Sequence, residues 1–401
     1  MFDNQRRSWF DRLTTNGTGY PMIYLDNAAT SHPKPEAVYE KVEYVLRHVS
    51  ANPGRSGHRL AIETDREIFD ARESVARLFN ITDPERLVFT PNATAALNIG
   101  ISGILERGDQ CITTSMEHNS VVRPLAYLSM FGVDITKIQA SPDGTLDPAD
   151  VIAAIRPNTK LIVMTHASNV IGTITPVEEI ARYASERGVA VLLDAAQTAG
   201  SLPIDVAALG VDMLACPGHK GLLGPQGTGF LYISHKLKLS PIILGGTGSR
   251  SDLEWMPDFL PDRHEAGTLN TPGIAGLGAG ADFLKKTTVE AVRAHEVSLC
   301  GRLMNGLSAI DGVTLYGVAD PGLRSSVVSF NIKDVDPATV GDTLDSEYDI
   351  AVRVGIHCAP DAHKTIGTFP RGAVRISPGY FNTAADIDAA IEAVKSIAIR
   401  V

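Results

Sequence analysis

The chain has 401 residues, 44% hydrophobic and 20% charged, which suits a globular protein of two domains or of one large domain with a satellite. A net charge of −10 argues against a nucleic-acid surface and against attraction to anionic membranes. No apolar run reaches the roughly 18 residues of a membrane span and no basic-then-apolar leader opens the chain, so no signal peptide is expected and the expected address is cytoplasmic.

From about residue 85 to 235, short apolar runs alternate with helical patterns. Strands are expected over 86–90, 110–114, 160–165, 189–194, 211–216 and 228–233. Runs that are apolar at nearly every position belong to strands buried on both faces, as in a mainly parallel sheet covered by helices. Helical patterns fill the gaps, among them 93–106 and 176–188, the latter closing on Gly188 as a C-cap. After about 275 the texture changes. One long helical stretch over 276–310, apolar runs at 324–332 and 372–377, and a closing helix over 383–400 predict a smaller α+β domain. The expected division is an N-terminal segment 1–25 packing on the small domain, a large domain 26–275 and a small domain 276–401.

Ligands of an open parallel sheet bind outside the carboxyl ends of its strands, so the polar residues that follow each apolar run matter most. After the first run, Asn92 caps a helix whose first residues, Ala93 and Thr94, would offer free N–H groups and a hydroxyl to an anion; taken alone, a plain helix cap is the preferred account. After the second come Glu117 and His118, the histidine serving as a surface group, an acid–base or a flat ring for stacking. His166, Ser168 and Asn169 follow the third run. Asp194 ends the fourth, with Gln197 three residues on; such a carboxylate either caps the next turn or stays ionised against a cation.

After the fifth run, "PGHKG" places His219 and Lys220 before a series of glycines. The nucleotide-binding loop GxxxxGK[ST] has its glycines before the lysine and a hydroxyl after it, so this is a different device. A lysine pushed into a cleft loses part of its preference for the charged form and becomes nucleophilic. Together these parts describe a planar ligand with an aldehyde for Lys220, a ring-nitrogen cation for Asp194 and a phosphate for a helix N-terminus, which is pyridoxal phosphate. A dinucleotide fold is excluded, because no GxGxxG follows the first strand and "GLGAGADF" (276–283) has other spacing.

"YLDNAAT", "TTSMEHNSVV", "HASNVIGT", "LLDAAQT", "GHKGLLGPQGTG", "HEAGTLNTPGI" and "VRVGIHCAP" occur in this order from Tyr24 onward. On these motifs the chain resembles the class V aminotransferase superfamily of fold-type I pyridoxal phosphate enzymes, in its cysteine desulfurase and selenocysteine lyase branch. The resemblance implies an α/β fold, a large domain with a mainly parallel seven-stranded sheet plus a smaller α+β domain at the C-terminus. It implies that Lys220 bonds the cofactor, that Asp194 and Gln197 hold the pyridine nitrogen and ring hydroxyl, and that His118 stacks on the ring. Ala93, Thr94 and His219 would hold the phosphate, joined by Thr268 from a partner subunit. Asn169 would stand near the substrate, Arg375 would grip its carboxylate with Arg353 beside it, and His58 would reach in from the neighbouring chain of a homodimer.

Four cysteines are scattered, without a CxxC pair. Cys111, Cys216 and Cys300 lie in strand or helix patterns and read as small buried hydrophobes. Cys358 lies in "GIHCAPDAHKTIGTFPRG", which has no core periodicity, and His357, His363, Lys364 and Arg353 around it would favour a thiolate. A zinc site there lacks a fourth ligand, so no metal is expected. By resemblance Cys358 is the persulfide-forming residue of "RxGHHCA"-type desulfurases. The implied activity is removal of sulfur from L-cysteine to give L-alanine, with a sulfur-acceptor protein as partner. The alternatives are a selenocysteine lyase, a cystine-type C–S lyase or an aminotransferase. Pro217 stands where many relatives have serine and Ile356 replaces the first histidine of "HHCA", which bears on phosphate binding and substrate preference.

Overall fold

Thirteen strands follow one another in the computed structural model, which describes residues 22–53 and 57–400. They are β1 (Ile23–Tyr24), β2 (Leu87–Thr90), β3 (Gln110–Thr114), β4 (Asp134–Ile138), β5 (Thr159–Thr165), β6 (Ala190–Asp194), β7 (Met213–Pro217), β8 (Gly229–Ile233), β9 (Val313–Tyr316), β10 (Val328–Ile332), β11 (Ile350–Ala351), β12 (Arg353–Gly355) and β13 (Ala373–Ile376). β2 to β8 form one seven-stranded sheet in the order β2-β8-β7-β6-β5-β3-β4. The strands β7, β6, β5, β3 and β4 run parallel, and β8 lies antiparallel to both β7 and β2.

Alternate residues of one strand enter different cores, which is why these runs carry no polar face. In β5, Ile162 and Met164 join one apolar cluster while Leu161 and Val163 join the cluster on the other side. Each such fully buried side chain contributes about 1.5–3 kcal/mol relative to exposure. β4 is the exception. Its sequence "DITKI" is exposed or only half-buried throughout at the sheet edge, and for that reason its pattern does not announce a strand.

The expected helix over 276–310 is two helices, Thr271–Thr287 and Val289–Ser308. Thr288 separates them at φ +69, and its side chain accepts from Ala291 N at 3.2 Å as the cap of the second. Beyond them a four-stranded antiparallel sheet, β12-β13-β10-β9, carries its own apolar cluster, with Phe330, Val374 and Leu303 among its members. β1 pairs with β11 of this part of the chain. Residues 1–21, most of the expected N-terminal segment, lie outside the described residues. No helix among the described residues is long and apolar enough to cross a membrane.

Candidate active site

β3, β5, β6 and β7 point their carboxyl ends at one cavity of about 260 Å³. Asp194 closes β6 there, 3% exposed, its carboxylate accepting one hydrogen bond among the described residues, from Ala196 N at 2.9 Å. Burial pushes its pKa up, while that hydrogen bond and the charge of Lys220 act against the shift. A carboxylate so placed favours a cationic partner.

Lys220 stands in the same wall. Burial brings its pKa down to about 8; Arg375 and Arg353 act with burial, Asp194 and Asp26 against it. Among the described residues no hydrogen bond holds its Nζ, whereas its main chain is held closely. The carbonyl oxygen of His219 accepts from Lys34 Nζ (2.8 Å), Ser31 N (3.0 Å) and Thr30 Oγ1 (3.1 Å), and that of Lys220 accepts from Ser31 Oγ (2.9 Å). On the other side Gly221 packs on the main chain of Ala199, a contact with no room for a side chain. The glycine after the lysine therefore permits close packing.

Asn92 caps the helix Ala93–Ile104, accepting from Ala95 N at 2.9 Å, and Asn92, Ala93 and Thr94 line the cavity. Thr94 Oγ1 meets Ser120 Oγ at 2.8 Å, a second hydroxyl in the wall where Pro217 supplies none. His118 caps the helix Asn119–Ser129, its Nδ1 accepting from Ser120 N at 3.1 Å. The neutral ring then carries its proton on Nε2. Burial, followed by Lys220 and nearby arginines, lowers its pKa to about 4, so it is a neutral ring at physiological pH. Gln197 and His219 complete this side.

The opposite wall comes from the antiparallel sheet. Arg375 on β13 is 2% exposed, its Nη1 donating to Asn169 O (2.9 Å) and its Nη2 to Asp26 Oδ1 (2.7 Å). Asn169, Arg353, His357 and Cys358 line the cavity with it. Cys358 is exposed, whereas Cys111, Cys216 and Cys300 are buried as expected.

The cysteine segment is better anchored than its composition suggests. Ala359, Ala362 and Ile366 pack on Met116, Val170 and Ile171, and the short helix Pro360–Thr365 follows the cysteine. His357 and Cys358 both adopt left-handed backbone, φ +49 and +56, which costs a non-glycine residue about 1 kcal/mol or more. Their carbonyls are held by Asn169 Nδ2 (2.7 Å) and Asn119 N (2.8 Å). His357 and His363 stack on each other, Nδ1 to Nε2 at 3.2 Å, and His363 Nδ1 meets Thr368 Oγ1 at 2.7 Å. Burial lowers both pKa values, so these histidines are neutral and supply no charge to a thiolate.

Two expected residues lie elsewhere on this chain. His58 is exposed and caps the helix Arg59–Leu78, and Thr268 lines a separate hollow with Asn52, Asp65 and Ile68. Asp26, Ser31, Lys34 and Ser120 belong to the site's framework without having been singled out. "YLDNAAT" marked the neighbourhood, but chain separation hid which of its residues meets Arg375.

The donor set fits pyridoxal phosphate. A free amine faces a cavity with a buried carboxylate on its floor, a neutral imidazole in its wall, and a capped helix start with two hydroxyls at one end. The chain matches the family model described as Aminotransferase class-V over residues 23–390. It is 38% identical over 383 residues to a probable cysteine desulfurase of Methanothermobacter thermautotrophicus, 94% of each chain being covered. It is 35% identical over 363 residues to a cysteine desulfurase of Serratia proteamaculans, with 88% of each covered. The apo structure of a cysteine desulfurase from Thermococcus onnurineus superposes with a TM-score of 0.89 at 32% identity, covering 95% of both chains. The Escherichia coli cysteine desulfurase CsdA, in an S-sulfonic acid form, superposes at 0.85 with 28% identity over 100% of this chain and 99% of that one. The chain belongs to the aminotransferase class-V family, whose cofactor is pyridoxal phosphate.

Proposed function

We propose that the protein is a cysteine desulfurase. The observation that carries this reading is an exposed thiol, Cys358, in the wall of the cavity that holds Lys220 and Asp194. Transamination has no use for a thiol there. The reaction balances as L-cysteine plus the Cys358 thiol giving L-alanine plus a Cys358 persulfide.

Arg375 binds the substrate carboxylate from the wall facing Lys220, with Arg353 and Asn169 beside it. Pyridoxal phosphate, when bound, supplies the electron sink that makes the substrate Cα–H acidic. Lys220, Asp194, Gln197, His118, Ala93, Thr94 and His219 would hold it. The Lys220 amine takes the Cα proton, a task suited to a base brought near neutrality. The Cys358 sulfur attacks the substrate sulfur from the cavity wall, where Cys358 sits in a left-handed turn anchored through its carbonyl. His118, with its proton on Nε2, remains a flat neutral surface at the cavity wall.

The reading extends to a homodimer in which Thr268 and His58 serve the partner's cavity, since neither lines the cavity of its own chain. It includes a sulfur-acceptor protein, a cytoplasmic address, and the division into segment 1–25, large domain 26–275 and small domain 276–401. The test is alanine release from L-cysteine and L-selenocysteine by the cofactor-loaded protein and by Cys358→Ala. Loss of the cysteine reaction in the variant, with a persulfide trapped on the native protein, supports the proposal. Alanine from selenocysteine alone would make it a selenocysteine lyase, and alanine from neither would overturn the assignment.

A further inference from the structure

Arg375 is a buried cation whose hydrogen bonds can be counted. Its guanidinium has five N–H donors. One on Nη1 goes to the carbonyl of Asn169 and one on Nη2 to the carboxylate of Asp26; Nε is buried without a partner among the described residues. Each terminal nitrogen keeps one N–H for a ligand in the cavity that Arg375 lines.

Asp26 is held as firmly as the arginine. Its carbonyl accepts from Ala29 N (3.0 Å) and Tyr24 Oη (3.1 Å), and the next residue, Asn27, donates from its main chain to Ser377 O at 3.1 Å. Ser377 follows β13, which carries Arg375, so one stretch of backbone fixes both partners of the ion pair. Asp26 is the only acidic side chain bonded to Arg375 among the described residues, and the pair's side chains are 17% and 3% exposed. A guanidinium removed from water needs such a counter-ion to stay charged and in one rotamer.

We infer that Asp26 is a positioning residue for substrate recognition: with the Asn169 carbonyl it aims the Arg375 guanidinium so that two N–H groups meet the amino acid's carboxylate. The inference rests on the proposed role of Arg375. It makes Asp26 a determinant of preference for a free carboxylate over a neutral amide, although Asp26 itself repels that carboxylate. Its longer-range repulsion is outweighed because the orientation it enforces places two charge-assisted hydrogen bonds on the ligand.

The test uses the cofactor-loaded full chain and the absorbance change on binding L-alanine or L-alaninamide. The quantity read is the ratio of the two dissociation constants, which a general loss of folding would not move selectively. Arg375→Met is expected to bring the ratio close to one. Asp26→Asn is expected to lower it about tenfold, or about 1.4 kcal/mol, by weakening L-alanine binding alone, with KM for L-cysteine rising as much and kcat changing less than threefold. If Arg375→Met keeps the wild-type ratio, the role of Arg375 fails and this inference with it. If Arg375→Met loses the preference while Asp26→Asn keeps it, or weakens both ligands equally, only the role of Asp26 is overturned. Asp26→Ser, which also removes the charge, takes the place of Asp26→Asn should that protein not fold, with the same expected and contrary results.

Discussion

Substituting Gly221 with alanine tests whether the glycine after Lys220 serves close packing. A Cβ built there comes closer to the Ala199 carbonyl oxygen than the 3.0 Å that real Cβ atoms respect, and a Cβ built on Gly200 would meet the Gly221 carbonyl just as closely. Ordinary contact begins at 3.4 Å, so the two backbone segments must part by about 1 Å. The Ala199 side cannot yield easily, because Ala199 N and Thr198 N are both bonded to Ala195 O, just after Asp194. The displacement therefore falls on Lys220 and strains the hydrogen bonds at His219 O and Lys220 O. A misplacement of about 1 Å costs on the order of 100-fold in rate, or about 2.7 kcal/mol. The assay is the rate at which cofactor-free protein condenses with pyridoxal phosphate, read by absorbance and by borohydride trapping of Lys220, together with kcat/KM for L-cysteine. The expected result is a loss of about 100-fold in kcat/KM and a slower condensation, in a protein that still melts cooperatively. Wild-type rates of both in Gly221→Ala would refute the packing argument.

The same condensation should slow as pH falls through about 8, where burial has brought the Lys220 amine, and not already through the ordinary lysine value of 10.5. Asp194 raises that pKa, so Asp194→Asn should move the transition to lower pH; a transition moving upward would contradict the stated electrostatics. Glu117 is fully buried, its pKa pushed by burial to about 8 from 4.5, with Oε2 unpartnered among the described residues. A group raised in the folded state stabilises fully below 4.5 and progressively less as pH rises through about 8, by about 1.4 kcal/mol per pH unit between them. Glu117→Gln should therefore flatten the fall in Tm between pH 5 and 8, leaving the part due to Glu296, which is raised likewise. An unchanged slope would show that Glu117 is ionised in the folded protein.

Much of the cavity was legible because an open parallel sheet delivers the ends of its strands to one place. Asp194, His118, Asn169 and Lys220 each follow an apolar run, so finding the runs located the residues. β4 escaped because an exposed edge strand needs no apolar pattern. The break at Thr288 escaped because one threonine ending one helix and capping the next leaves the apolar period nearly continuous.

The cysteine segment shows the limit from the other side. Its glycines, prolines and histidines suggested an open loop with charge around the thiol. In the fold Ala359, Ala362 and Ile366 pack it down, and burial keeps His357 and His363 neutral. Spacing cannot reveal burial by residues more than 180 positions away, such as Val170 and Ile171. The sequence by itself determined six strands of the large sheet, the side chains that their ends bring to one cavity, and the thiol in its wall, because each follows from local pattern or side-chain chemistry. Only the tertiary structure decided that Asp26 meets Arg375, that Lys34 and Ser31 hold the backbone of Lys220, and that Gly221 must lack a side chain, since contacts between distant segments exist only once those segments are packed.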